Sequence, residues 1–146
     1  MPGKWLGRAS AAGLNASVEN TCTPAHQAVE SEEAETLAQL LAKGADPNEV
    51  CHDMTLLAHA IDAEGDGALQ GGRPLTVHTT AVLLAFGADP QRAGPDGQTP
   101  MDLAVYYSHD LAVELLHRHI QRVRRRRQMR VRAMLAKARK WLALRS

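Results

Sequence analysis

The amino-acid sequence predicts an all-α solenoid of helix-turn-helix units with short β-turn fingers, followed by a long basic C-terminal helix. Two motifs recur along the chain, apolar residues follow them at helical spacing, and the charge divides sharply between the two ends. Helix formers such as alanine and leucine supply the core, since 45% of residues are hydrophobic but only 3% aromatic. A length of 146 residues fits one domain with appendages.

The first motif is a threonine, then proline or leucine, with an alanine five positions after the threonine. It begins at Thr23, Thr55 and Thr99. The second motif, Leu-Leu-Ala-x-Gly-Ala-Asp-Pro, occupies residues 40–47 and 83–90. The threonines are 32 and then 44 residues apart, so the second of three units carries about eleven extra residues over a period of about 33.

Each motif has a local physical role. The threonine can accept hydrogen bonds from first-turn amides, and proline at the first helical position leaves no N–H unpaired. Gly44 and Gly87 follow the second helix of a unit, where a left-handed terminal residue is needed. Asp96-Gly97 is a tight-turn dipeptide that we expect at the tip leading into the third unit.

The extra residues fall between the two helices of the second unit, near 63–74. Four glycines and a proline predict a loop there, with Pro74 opening the next helix. A contact surface and a tolerated surface insertion are both open interpretations of this loop.

Together these residues resemble the ankyrin repeat, whose signature is Thr-Pro-Leu-His, then Ala, then Leu-Leu and Gly-Ala-Asp. The resemblance covers roughly residues 18–120 as about three degenerate repeats. It implies that His26 ties adjacent repeats by hydrogen bonds. Because Ala58 and Asp102 stand at the matching positions, this role is not extended to His59. Residues 1–17 are expected to form a partial cap or to be disordered.

In that family, as the resemblance implies, a protein partner binds the concave surface made by the finger tips and the first helices. The matching positions in this chain are Gln27, Glu30, Glu49, His52, Asp53, His59, Asp62, Gln91, Arg92, Tyr106 and Tyr107. The two tyrosines are the expected anchors, because tyrosine is enriched at binding hot spots; packing within the last repeat is the alternative. The leading hypothesis is therefore a protein–protein interaction module of unidentified partner.

The C-terminal segment 121–146 is predicted to be a basic amphipathic helix, continuous with the third repeat. Residues 1–110 carry 5 Lys or Arg and 15 Asp or Glu, whereas residues 111–146 carry 12 and one. Apolar residues lie on one helical stripe, which Arg127 interrupts. The candidate anion-binding residues on the segment are Arg122, Arg124, Arg125, Arg126, Arg127, Arg130 and Arg132.

Four interpretations of this basic helix remain open. It could cap the acidic repeat body, seek nucleic-acid phosphates, lie on an anionic membrane with Trp141 and Leu142 as anchors, or self-associate through its apolar stripe. Binding of nucleic acid or an anionic membrane is the alternative function. Sequence-specific DNA reading is unsupported, since no helix-turn-helix, zinc-finger or RNA-binding aromatic motif is present.

The sequence does not indicate an enzyme, because it lacks a Gly-Lys-Ser/Thr phosphate loop, a Gly-x-Ser-x-Gly elbow and a His-Glu-x-x-His motif. We expect no cofactor and no small-molecule substrate. No metal site is expected, because Cys51-His52 lacks a CxxC partner and His117 and His119 point apart on a helix. Two cysteines and no signal-like apolar run make a reducing cytoplasm the expected location.

Overall fold

The computed structural model describes residues 22–145, which form three helix-turn-helix units in two layers. The helices are α1 (Pro24–Glu30), α2 (Ala34–Ala42), α3 (Leu56–Gly71), α4 (His78–Ala85), α5 (Pro100–Tyr106) and α6 (Asp110–Arg145). The first helices α1, α3 and α5 pack side by side as an inner layer, and α2, α4 and α6 pack behind them. The predicted all-α repeat architecture is confirmed, and the expectation for residues 1–17 lies outside the described part.

The helix starts follow the predicted capping chemistry in all three units. Thr23, Thr55 and Thr99 each accept a hydrogen bond from the backbone N–H three residues on, at 3.2 to 3.3 Å. In the third unit a reciprocal hydrogen bond completes a capping box, because Asp102 Oδ2 accepts from Thr99 N at 2.9 Å. This use explains why an aspartate stands where the motif has histidine.

The helix ends and tips also agree with the turn residues of the sequence. Gly44 has φ +110° and Gly87 has φ +96°, so both take the left-handed conformation expected after a second helix. The first finger is a hairpin of β1 (Val50–Cys51) and β2 (Met54–Thr55). The second finger turns at Gly97, whose φ is +84°, as the Asp-Gly dipeptide predicts.

The core runs without a break through both layers. Fully buried apolar side chains come from successive helices, among them Val29, Leu37, Ile61, Leu83 and Leu116. The central helix α3 packs against α1 on one side and α5 on the other. Each unit therefore buries its apolar face against a neighbour, and the stability of the stack resides in these interfaces.

The loop predicted over residues 63–74 is wrong for most of its length. Helix α3 continues to Gly71, Gly72 ends it with φ +64°, and α4 begins at His78 rather than at Pro74. One of the extra glycines is there for close packing: a Cβ on Gly65 would overlap the ring of Tyr107 in the next unit. The second unit thus absorbs its additional residues chiefly as a longer first helix.

Glu64 gives the extension of α3 a structural purpose. Its carboxylate is 3% exposed and accepts bonds from the backbone N–H and hydroxyl groups of Thr79 and Thr80, at 2.6 to 3.2 Å. These threonines lie in the first turn of helix α4, whose N-cap residue Val77 provides no side-chain cap. The buried glutamate therefore satisfies the first-turn amides of α4 from the neighbouring helix, where a carboxylate is also favoured by the helix dipole.

Helix α6 joins the third unit to the basic segment without interruption. It has 36 residues, and at about 1.5 Å per residue it is roughly 54 Å long. Its first turns are anchored by Ala112 and Leu116, which are fully buried. No helix within residues 22–145 is long and apolar enough to cross a membrane.

Candidate binding surface on the fingers and first helices

The inner surface comprises the exposed face of α1, α3 and α5 together with the two fingers. At its first end a concavity of about 330 Å³ lies between α1, α3 and the first finger. Its lining residues are Cys22, Gln27, Glu30, Cys51, His52, Met54 and His59. The fold thus brings four of the sequence-predicted partner residues, Gln27, Glu30, His52 and His59, around one depression.

A second, more polar concavity of about 280 Å³ adjoins the first. Glu30 and His59 line both, and Asp62 extends the surface along α3. Glu32 and Arg73 form an ion pair at its edge, with Arg73 Nη2 2.7 Å from Glu32 Oε1. Carboxylates therefore dominate this stretch of the inner surface, and a positively charged group would be the complementary ligand.

The tip of the first finger is a tight two-residue turn. Cys51 pairs with Met54, so His52 and Asp53 are the central residues, and both have positive φ, +51° and +63°. Two successive left-handed residues define the type I′ turn that matches hairpin twist and normally favours Asn-Gly. The His-Asp pair holds this conformation at a modest cost, and both polar side chains are exposed.

Two histidines one repeat apart form a pair behind this surface. Their rings stack with centroids 5.0 Å apart, and His26 Nδ1 lies 2.8 Å from His59 Nδ1. Burial, together with the neighbouring His59, lowers the pKa of His26 to about 4. Burial also lowers the pKa of His59, although the carboxylates of Glu30 and Asp62 oppose the change.

This pair extends what the sequence predicted for His26. The implied tie between adjacent repeats is present, but its partner is His59, the residue from which the role had been withheld. The separation of 33 residues was the available signal, because positions one period apart occupy neighbouring layers of a solenoid. Alignment of the Thr-Pro-x-His motif places Ala58 at the position of His26, so the motif alone did not identify His59 as the partner.

Glu49 works largely inside the fold rather than at the tip. Its Oε1 accepts a hydrogen bond from the hydroxyl of Thr23 and lies 3.8 Å from His26 Nε2. Its backbone carbonyl accepts from Leu56 N at 2.9 Å. The glutamate therefore joins the start of α1 to the first finger and offers little to a partner.

The two adjacent tyrosines have different surroundings. Tyr106 is 75% exposed on α5. Tyr107 packs over Gly65 and donates its hydroxyl hydrogen to Asp62 Oδ1 at 2.7 Å. Burial and this carboxylate both raise the pKa of Tyr107. The packing alternative thus describes Tyr107, whereas Tyr106 keeps the geometry of an anchor.

The second finger carries the remaining predicted partner residues away from the two concavities. Gln91 and Arg92 are exposed, and neither lines the depressions beside the first finger. Gly94 packs so closely under the first finger that a Cβ would overlap the carbonyl oxygen of Asp53. Asn48 Oδ1 also accepts from Asp89 N at 2.7 Å, so the two fingers form one ridge.

The two cysteines form a cross-link that the sequence did not predict. Cys22 and Cys51, 29 residues apart, are joined by a disulfide at the wall of the first concavity. In the sequence Cys51-His52 has no other cysteine nearby. Stacking of the first two units, however, places Cys22, which precedes α1, against the first finger. Local spacing could not reveal a pairing that depends on the repeat geometry.

The basic segment of α6 stands apart from the inner surface. All residues from Arg122 to Arg145 are exposed, so within residues 22–145 this part of the helix does not pack on the acidic repeat body, and for these residues that interpretation is wrong. The seven candidate anion-binding arginines are therefore open to solvent. The apolar stripe is also open, with Val131 50%, Met134 70% and Trp141 55% exposed.

Comparisons with known proteins agree with this architecture. One matching solved structure is an ankyrin repeat domain from Acinetobacter baumannii AYE, with a TM-score of 0.58 and 29% identity. The match covers 68% of this chain and 48% of that one, so this chain spans about half the length of that domain. No protein-family model and no curated protein matches.

Proposed function

Because this chain has the fold of an ankyrin-repeat domain, we propose that it is an interaction module that binds a protein partner on its inner surface. The observation that carries the proposal is the pair of adjoining concavities on α1 and α3, which share Glu30 and His59. The exposed Tyr106 extends the same surface onto α5. An aromatic residue beside polar depressions is the arrangement that protein interfaces favour.

The charge of this surface indicates the chemistry of the partner. Residues 22–110 carry 14 Asp or Glu against 3 Lys or Arg, and Glu30, Asp53 and Asp62 lie on or beside the inner surface. Opposite charges across an interface speed association and reject wrong partners. We therefore expect a partner with a basic contact surface, bound by recognition rather than for catalysis.

Site-specific photocrosslinking in cells tests this proposal on the full chain. A photoreactive phenylalanine derivative is placed at Tyr106 on the inner surface or, as the matched control, at Phe86 at the end of α4 in the outer layer. Both sites are exposed aromatic positions, so the change is conservative at each. One discrete protein cross-linked from Tyr106 but not from Phe86 supports the proposal, and equal cross-linking from both sites contradicts it.

A second candidate function, binding to an anionic bilayer surface, is favoured by the exposed part of α6. Residues 121–145 carry 11 Lys or Arg and no acid, and an exposed stripe that includes Val131, Met134 and Trp141 runs along one side. Pairing two copies through this stripe would bring like charges together with no acid to offset them. Phosphate binding alone would not need exposed tryptophan and methionine, whereas an interfacial helix uses both faces.

Vesicle binding distinguishes an anionic bilayer from nucleic acid as the partner of this helix. We expect the full chain to sediment with vesicles containing phosphatidylserine and not with neutral phosphatidylcholine vesicles, and Trp141→Ala to weaken this binding. Leu69→Ala, an exposed apolar change on α3, is the matched control and should bind normally. If Trp141→Ala binds as tightly as the unmodified chain, or if duplex DNA competes fully with the vesicles, the membrane interpretation fails.

A further inference from the structure

The wall of the first concavity brings together three side chains of types that can bind a metal, from two separate segments. Cys22 precedes α1, Cys51 ends β1 and His52 begins the finger turn. Cys22 Sγ lies 3.4 Å from His52 Nδ1, and the ligand atoms of all three residues lie within 4.8 Å of one another. Two sulfurs and an imidazole nitrogen form a donor set suited to zinc.

We propose that the reduced chain binds one Zn²⁺ through Cys22 Sγ, Cys51 Sγ and His52 Nδ1. With zinc–sulfur bonds of about 2.3 Å, two thiolates on a tetrahedral ion stand roughly 3.8 Å apart. The cysteine Cα atoms, 5.9 Å apart, already hold the two side chains at the separation of a cross-link. Opening the sulfur–sulfur bond therefore leaves both sulfurs near their places as ligands.

The backbone of the finger supports a role for His52. This residue takes a left-handed φ of +51° at a turn position that favours asparagine or glycine. In this conformation Nδ1 of the exposed His52 ring lies 3.4 Å from Cys22 Sγ, beside the cysteine pair. A water molecule can fill the fourth position, because His52 is exposed to solvent.

The chemistry requires reduction before metal binding. A dithiol reductant gives two electrons and two protons to the Cys22–Cys51 bond, which becomes two thiols while the reductant becomes a disulfide. Zn²⁺ then displaces the two thiol protons and binds both thiolates. The disulfide and the ion are thus alternative cross-links between the start of α1 and the first finger. A reducing compartment, such as the expected cytoplasm, would select the ion.

Cobalt substitution tests the site on the full chain, without the need for a variant. The protein is reduced with a water-soluble phosphine, which takes oxygen from water and leaves two thiols, and Co²⁺ is then added alone. We expect thiolate-to-cobalt charge-transfer and tetrahedral d–d bands that saturate at one equivalent and disappear when Zn²⁺ is added. The oxidised chain should show none of these bands.

Variants then assign the ligands. His52→Asn keeps a residue that tolerates the left-handed turn and should weaken Co²⁺ binding at least about tenfold. His117→Asn, an exposed histidine on α6, should have no effect. Reduced protein without thiolate bands, equal bands in the oxidised chain, or full affinity in His52→Asn would each overturn the proposal. This test is independent of partner binding, so it succeeds or fails separately from the proposed interaction function.

Discussion

His26 and His59 face each other across the boundary between the first two repeats, with their Nδ1 atoms 2.8 Å apart. A hydrogen bond between two imidazole nitrogens needs one protonated and one unprotonated nitrogen. If both rings were charged, two N–H groups and two positive charges would meet at this contact. The pair therefore holds the interface together only while at least one of the rings is neutral.

This pair makes stability depend on pH. The pKa of His26 is about 4 in the folded chain, against an ordinary value of 6.5. Between pH 6.5 and pH 4 the unfolded chain therefore binds a proton at this residue more tightly than the folded chain does. Stability is then complete above about pH 6.5 and falls as the pH drops toward 4, by at most about 3 kcal/mol for this residue and less where solvent screens it. Urea unfolding of the oxidised chain at a series of pH values measures the loss.

The control for this prediction is a histidine outside the stack. His26→Gln should flatten the stability profile between pH 6.5 and 4, whereas His117→Gln, at an exposed position, should keep the profile of the unmodified chain. A His26→Gln profile as steep as the original would show that another group governs the acid sensitivity.

Two glycines on α3 should respond oppositely to the same substitution. Gly65→Ala places a methyl group inside the ring of Tyr107, so we expect a loss of about 1 to 3 kcal/mol. Gly67→Ala meets only the ends of the Arg73 and Glu32 side chains, which can move, and gains up to about 1 kcal/mol of helix propensity. Equilibrium denaturation measures the free energy of unfolding of both variants. A Gly65→Ala variant more stable than the unmodified chain would refute the close packing.

The buried carboxylate of Glu64 should be among the most sensitive positions in the stack. Glu64→Ala leaves two backbone amides and two hydroxyls at the start of α4 without their acceptor, at a cost of about 2 to 4 kcal/mol. Asp66→Ala, two residues on, removes a carboxylate that within residues 22–145 hydrogen-bonds Gln70 on the same helix, and should cost under about 1 kcal/mol. Similar free energies of unfolding for the two variants would contradict the capping role.

The neighbouring tyrosines should differ in how much each contributes to stability. Tyr107→Phe loses the bond to Asp62 and should lower the free energy of unfolding by about 1 kcal/mol. Tyr106→Phe should leave stability unchanged, because that side chain is mostly exposed. Thermal unfolding distinguishes them, and equal losses would mean that Tyr106 also supports the fold.

Much of the stack could be predicted from the sequence because its signals are local. The threonine caps, the glycines after second helices and the Asp96-Gly97 turn each act within a few residues, and all are present in the structure. The continuous basic helix followed from the same local periodicity. The family resemblance then supplied the order in which the helices pack.

The errors arose where a residue acts across repeats. Gly65 and Glu64 looked like loop residues because the groups that they contact, the ring of Tyr107 and the first turn of α4, lie in other parts of the stack. Cys22 and Cys51 likewise meet only when two units stack. Within the predicted surface, Tyr106 is exposed whereas Tyr107 packs on Gly65. The motif did not show which of the two adjacent tyrosines would be the exposed one.

The most direct test of inner-surface binding is the affinity of the cross-linked partner for surface variants of the full chain. Glu30→Lys and Tyr106→Ala change the inner surface, whereas Lys43→Glu and Phe86→Ala make comparable changes at exposed sites of the outer layer. Binding on the inner surface predicts that each inner variant weakens binding about tenfold or more and that each outer variant changes it less than about twofold. Equal affinity for all four variants, with binding lost only when the arginines of α6 are replaced by glutamine, would contradict it.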